Sequence, residues 1–139
     1  MFLIGFPLLI IPLAIYNMIV FLTPGVMWTD KVALVGMPSQ IEWPVTFGDV
    51  VIAIALFLLF VEGLKASRAA GKSMVDHLLS MLVFLGALAE FLLVKEAATS
   101  TFAVITAICL VELLDGLVIS RGARRRRAAE RLAAQAPAQ

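Results

Sequence analysis

Four apolar runs, each about as long as a bilayer is thick, leave this chain few folds to choose from. Residues 2–22, 46–66, 73–95 and 100–120 each come close to the roughly 20 residues a helix needs to cross a hydrocarbon core of about 30 Å. In lipid every backbone N–H and C=O must be satisfied within the segment, so such runs fold as helices. We therefore expect an all-α membrane protein, a four-transmembrane-helix bundle over residues 1–120. Residues 121–139 form a basic tail. Composition agrees, with 62% of residues hydrophobic against about 45–50% in soluble chains.

The first run carries no charge, no basic residue precedes it, and no small-x-small cleavage signal follows. It reads as an uncleaved anchor. Pro12 is expected to kink it near mid-membrane. Positive charges then orient the bundle. Lys65, Arg68, Lys72, Arg121, Arg124, Arg125, Arg126, Arg127 and Arg131 fall on one side, and only Lys31 and Lys95 on the other. The positive-inside rule places both termini in the cytoplasm and the connection 23–45 outside. The arginines at 124–127 are expected to meet anionic lipid headgroups. No nucleic-acid partner is expected. The Ala/Gln-rich end from Ala133 is expected to be disordered or frayed.

Connection 23–45 opens on the helix stop Thr23-Pro24-Gly25 and holds a Gly36-Met37-Pro38-Ser39 turn signal between VALV and QIEWPV. That pattern predicts a short hairpin or irregular flap. Trp28 and Trp43 suit the headgroup belt, which makes the flap a surface loop or, alternatively, a lid over a cavity between helices.

Ionisable residues inside the spans carry the functional question, because each needs a partner, a wet cavity or a role. Thr46-x-x-Asp49 and Ser73-x-x-Asp76 fit the capping-box spacing, so Thr46, Asp49, Ser73 and Asp76 are expected to be helix caps. Glu62 and His77 lie at matching depth, each about one turn from the cytoplasmic end. Either Glu62 snorkels towards Lys65 or Arg68 while His77 sits in the interface, or the two form a pH-sensitive contact. Glu90 and Asn17 share a level roughly 7 Å below the outer surface, and no basic residue lies at that depth. Glu90 is expected to bond with Asn17 or Tyr16. Asp76, Ser80, Ala87 and Glu90 share a face, which reads as a packing seam that makes span three the packing axis.

Glu112 and Asp115 stand three residues apart on one helix face, ~13 Å and ~9 Å inside the cytoplasmic end, which puts Glu112 close to mid-membrane. Two carboxyls so close in a poor solvent should not both stay ionised. They are the candidate ion or proton site, with a purely structural hydrogen-bonded role as the alternative. Cys109, one turn earlier, is expected to be a small core residue.

One cysteine and one histidine exclude an intrachain disulfide, a quinone-linked thiol oxidoreductase and bis-histidine haem within one chain. No nucleophile set, metal cluster or nucleotide loop stands out, so neither catalysis nor a cofactor is expected. The W-P-x-T-F-G-D entry to span two (Trp43 to Asp49) and DHLLSMLVF in span three (Asp76 to Phe84) resemble a group of small four-span bacterial inner-membrane proteins to which no activity is assigned. The resemblance covers about the last hundred residues and carries no catalytic residue with it. Small multidrug exporters share the size and span count, but their coupling glutamate lies in the first span, which holds no acid here. The expected function is a non-enzymatic accessory or interaction subunit of the inner membrane. Its alternative is an oligomeric proton- or cation-coupled transporter or channel using Glu112 and Asp115. The expected partners are lipid and either a homo-oligomer or a larger membrane complex.

Overall fold

The computed structural model describes residues 7–68 and 74–135. In chain order it holds α1 (Ile10–Leu22), β1 (Lys31–Gly36), β2 (Glu42–Thr46), α2 (Phe47–Arg68), α3 (Met74–Leu93), a 3-10 turn (Lys95–Ala97) and α4 (Ser100–Gln135). Segments 47–66, 75–93 and 100–118 are each long and apolar enough to cross a membrane. Hydrogen bonds fix an alternating arrangement. Asn17, late in α1, meets Glu90, late in α3, and Leu8, just before α1, meets Glu62, late in α2. The hairpin therefore shares one end of the bundle with the 3-10 turn and the start of α4.

α1 covers the later part of the expected first span. Its described helix has 13 residues, or ~20 Å at 1.5 Å each, and residues 7–9 precede it in a turn. Residues 2–6 of that span lie outside the described residues. Pro12, the site of the expected mid-span kink, is the third residue of the described helix. In the first turn the missing proline N–H is one that has no intrahelical acceptor anyway.

The flap is an antiparallel hairpin with Lys31 opposite Thr46, Gly36 opposite Glu42 and an irregularity between Lys31 and Ala33. Pro44 is tolerated because two strands are both edges. Gln40 N–H closes the turn on the Met37 carbonyl at 2.9 Å, and Gln40 itself takes a left-handed φ of 62°. The hairpin delivers the chain into α2 with its first N–H groups satisfied. Phe47 N–H donates to the Asp30 carbonyl and Gly48 N–H to the Trp28 carbonyl, both at 2.9 Å. Asp49 N–H reaches Thr46 Oγ1 at 3.3 Å, and Asp49 Oδ2 accepts from Thr46 N–H at 2.8 Å and its hydroxyl at 2.7 Å. Such orphan donors are costly at a membrane boundary, and the first three are used.

α4, not α3, is the packing axis. Buried residues make up 39% of its span, against 17% for α2 and 11% for α3. Both α2 and α3 make their most extensive helix contact with it. The core gathers on Phe102, Ile105, Ile108 and Cys109 of α4, with Leu9, Leu13, Tyr16, Val51, Ala55 and Ala87 against them. Large apolar side chains such as Phe57, Phe60, Leu92 and Val118 point outward, the distribution of a bundle solvated by lipid. The basic segment continues the last helix. α4 runs unbroken through residue 121 to Gln135, 36 residues in all, or ~54 Å. Ala, Arg, Glu and Leu are strong helix formers, and no proline interrupts the segment before Pro137.

Candidate functional site

The buried polar residues collect in two places. Towards the end away from the hairpin, Glu112 of α4 is 2% exposed and its Oε1 accepts the Ser80 hydroxyl of α3 at 2.8 Å. Ser80 is equally enclosed, and Ala87, two turns on, is buried as well. Of the face expected to form a seam on span three, Ser80 is directed at α4, while Ala87 and Glu90 line a groove shared with α1. Glu62 of α2 is also buried, and its Oε2 accepts the Leu8 N–H at 3.0 Å. Glu62 thus secures the Leu8 N–H in the turn that leads into α1, a donor that would be costly to leave unmatched in lipid. Both carboxyls lie within electrostatic range of Cys109, which is itself buried.

Near the hairpin end, Tyr16 is fully buried. Its hydroxyl donates to the Glu96 carbonyl at 3.2 Å and pairs with Thr99 Oγ1 at 2.6 Å. Thr99 Oγ1 also accepts the Phe102 N–H at 3.2 Å, which caps α4. Trp28 stacks on the Tyr16 ring with centroids 4.2 Å apart and planes 5° apart, and Phe102 packs on Tyr16 at a tilt of 53° with centroids 4.6 Å apart. Trp28 is thus drawn into an aromatic plug, while Trp43 stays exposed. Gly48 lets α2 approach α4 there, since a Cβ would come within 2.5 Å of Thr101 Oγ1. On the next residue of α1, Asn17 Nδ2 donates to Glu90 Oε2 at 3.1 Å.

Set against the candidate residues, the structure joins some and separates others. Asn17 and Glu90 meet, and Thr46 with Asp49 forms the reciprocal cap. Asp76 lies in the first turn of α3, but Ser73 lies outside the described residues. His77 is half-buried in that same turn. Glu112 and Asp115 do not converge: Glu112 turns into the α3–α4 seam while Asp115 is exposed. A helix turns ~100° per residue, so a three-residue offset leaves about 60° between side chains. Of the basic residues, Lys72 and the side chains of Arg68, Arg124, Arg126 and Arg127 lie outside the described residues, while Arg125 is exposed on α4.

Sequence reasoning missed Ser80, Thr99 and Trp28 as partners. Depth matching, which paired Asn17 with Glu90, would also have placed Ser80 near the level of Glu112. Nothing local in the sequence marks the Tyr16–Trp28 stack. No family model, no curated protein and no solved structure compared with the chain matches it.

Proposed function

We propose that this chain is a four-span bacterial inner-membrane protein that serves as a non-enzymatic accessory or interaction subunit. In this reading both termini are cytoplasmic and the hairpin faces outward. One observation carries it: Glu112, the acid best placed for ion coupling, is enclosed between α3 and α4 and bonded to Ser80. A carboxyl used this way specifies which helices pair and in what register, since an unmatched polar group in hydrocarbon is costly. The orientation is supported by the nine-to-two division of basic residues, which the alternating helices keep on opposite ends. The fourth span of this reading rests on the uncharged run at residues 2–22, of which α1 is the described helix.

The partner-facing features are outside the core. Asp115 is exposed on a membrane helix, where a charge is matched by a neighbouring helix or a polar cavity. The helical extension beyond residue 121 projects ~22 Å past the bilayer edge and presents arginine to a headgroup surface or an acidic partner. Purification under native conditions with mass spectrometry tests the proposal. A second membrane protein recovered with the wild type, and lost with Asp115→Leu, is the expected result. Recovery of this chain alone as a stable homo-oligomer counts against it. So does a proton or cation flux in liposomes that Glu112→Gln abolishes, because that outcome restores the transporter reading.

A further inference from the structure

The hairpin has two outer edges, and its residues block one of them. Pro44 of β2 stands opposite Leu34 of β1, and a proline nitrogen has no hydrogen to give to a ladder. Antiparallel partners alternate between bonded and non-bonded pairs, so Leu34 and Pro44 form a non-bonded pair. Met37 N–H donates inward to the Ile41 carbonyl at 2.9 Å, which sets the same alternation. Ala33, Val35 and Met37 therefore bond across to the β2 side, while Leu34 and Gly36 turn their N–H and C=O groups to the outer edge. The outer edge of β2 has no donor at Pro44, and its Thr46 N–H is held by Asp49 Oδ2 at 2.8 Å. An edge is a template for a further strand unless proline, charge or a bulge blunts it. β2 is blunted, and β1 is open.

β1 also has the composition of a strand that pairs. All of its residues are exposed, Val32, Leu34 and Val35 among them, and Lys31 is its only charge. Outside the ladder, Leu34 and Gly36 make no backbone hydrogen bond with the described residues. We infer that the β1 edge takes up an antiparallel extended segment of a partner protein, bonded through its main chain to Leu34 and Gly36. The row through Gly36 selects what that segment carries. Glu42 lies opposite Gly36 on β2, and a Cβ at Gly36 would meet nothing within 4 Å. A lysine or arginine opposite Gly36 would stand two strand spacings from Glu42, or ~10 Å, and reaches its carboxylate over the glycine. Two residues later the segment sets an apolar side chain beside Leu34. A second copy of β1 fits less well. Pairing with itself about Leu34 would set Gly36 against Val32 at both ends, where the irregularity between Lys31 and Ala33 interrupts the strand. Such a partner belongs to the interaction role proposed above, on which this inference rests, but it is met at the hairpin and not at Asp115.

The test uses the full chain in detergent and a short fluorescent peptide of threonine and valine, with one lysine two residues before a central valine. Anisotropy should report saturable binding, and amide hydrogen exchange at Leu34 and Gly36 should slow at least tenfold. Methylating the central valine amide, which faces Leu34, should weaken binding at least tenfold. Methylating the next amide, which points away, should leave it within twofold. Leu34→Pro removes the outward N–H as Pro44 does on β2, and should abolish binding with an unchanged melting temperature. Glu42→Lys, which leaves the ladder intact, should weaken binding at least tenfold and serves if the proline variant does not fold. No binding, equal binding of the two methylated peptides, or binding indifferent to both variants would overturn the proposal. So would a dimer joined through β1 that excludes the peptide. A membrane partner lost with Asp115→Leu but kept by Leu34→Pro also overturns it, and leaves the accessory role standing. Peptide binding as described, with no partner protein recovered, supports the open edge and counts against the accessory role alone.

Discussion

Two glycines show how differently one residue type can be used in this bundle. At Gly48 a methyl group would press on Thr101 Oγ1 and approach the Trp28 carbonyl at 3.1 Å, whereas at Gly86 it would meet nothing within 4 Å. Overpacking typically costs about 1–3 kcal/mol, and Gly→Ala in an open helix interior gains up to about 1 kcal/mol. Gly48→Ala should therefore lower the melting temperature in detergent, and Gly86→Ala should leave it level or raise it. Tyr16→Phe keeps the ring stack on Trp28 but removes the hydroxyl between Thr99 and Glu96. Leaving buried groups unmatched costs about 1–3 kcal/mol, so this variant should melt earlier, and a Tyr16→Phe/Thr99→Val pair should cost less than the sum of the single changes. Cys109, 1% exposed and the only thiol, gives a clean readout of these variants. Maleimide should label it only as the bundle unfolds; labelling at the same rate before and after denaturation would contradict the packing described.

At the scale of elements, the hairpin and α2 behave as one unit. The turn leading into β1 supplies the Trp28 and Asp30 carbonyls to the first N–H groups of α2, and Thr46 ends β2 and caps the helix at the same residue. Thr46→Ala removes the capping oxygen and should cost about 1 kcal/mol, measured by thermal unfolding, with Thr46→Ser restoring most of it. This cap was legible in the sequence because its chemistry is local, a hydroxyl and a carboxylate at fixed spacing. The hairpin was legible for the same reason, from Met37-Pro38-Ser39 between two β-rich runs. The length of α4 was not. An arginine-rich stretch reads as the end of a membrane span, and hydropathy alone marks where the lipid stops rather than where the helix does.

For the whole molecule, Glu112 decides how α3 and α4 meet. Glu112→Gln keeps an acceptor for the Ser80 hydroxyl and should fold, whereas Glu112→Ala opens a cavity and strands Ser80, a combined loss of about 2–5 kcal/mol visible as a lower melting temperature. Ser80→Ala should fall between them.

By itself the sequence determined the class of fold, the positions of the long membrane helices, the hairpin and its turn, and the division of positive charge between the two ends. It also reached the Asn17–Glu90 contact, because matching depth along two antiparallel helices is a one-dimensional argument. Only the tertiary structure decided that α4 is the axis, that Glu112 faces Ser80 while Asp115 faces outward, and that Trp28 folds onto Tyr16. The physical reason is that lipid and protein core are both apolar. In water an apolar stripe shows which face of a helix is buried; in a bilayer Phe60 towards lipid and Ile105 towards the core carry the same hydrophobic signature. What separates the two faces is close packing by residues such as Gly48 and Ala87, and a few polar bonds that must find each other. Those depend on neighbours that the chain acquires only when it folds.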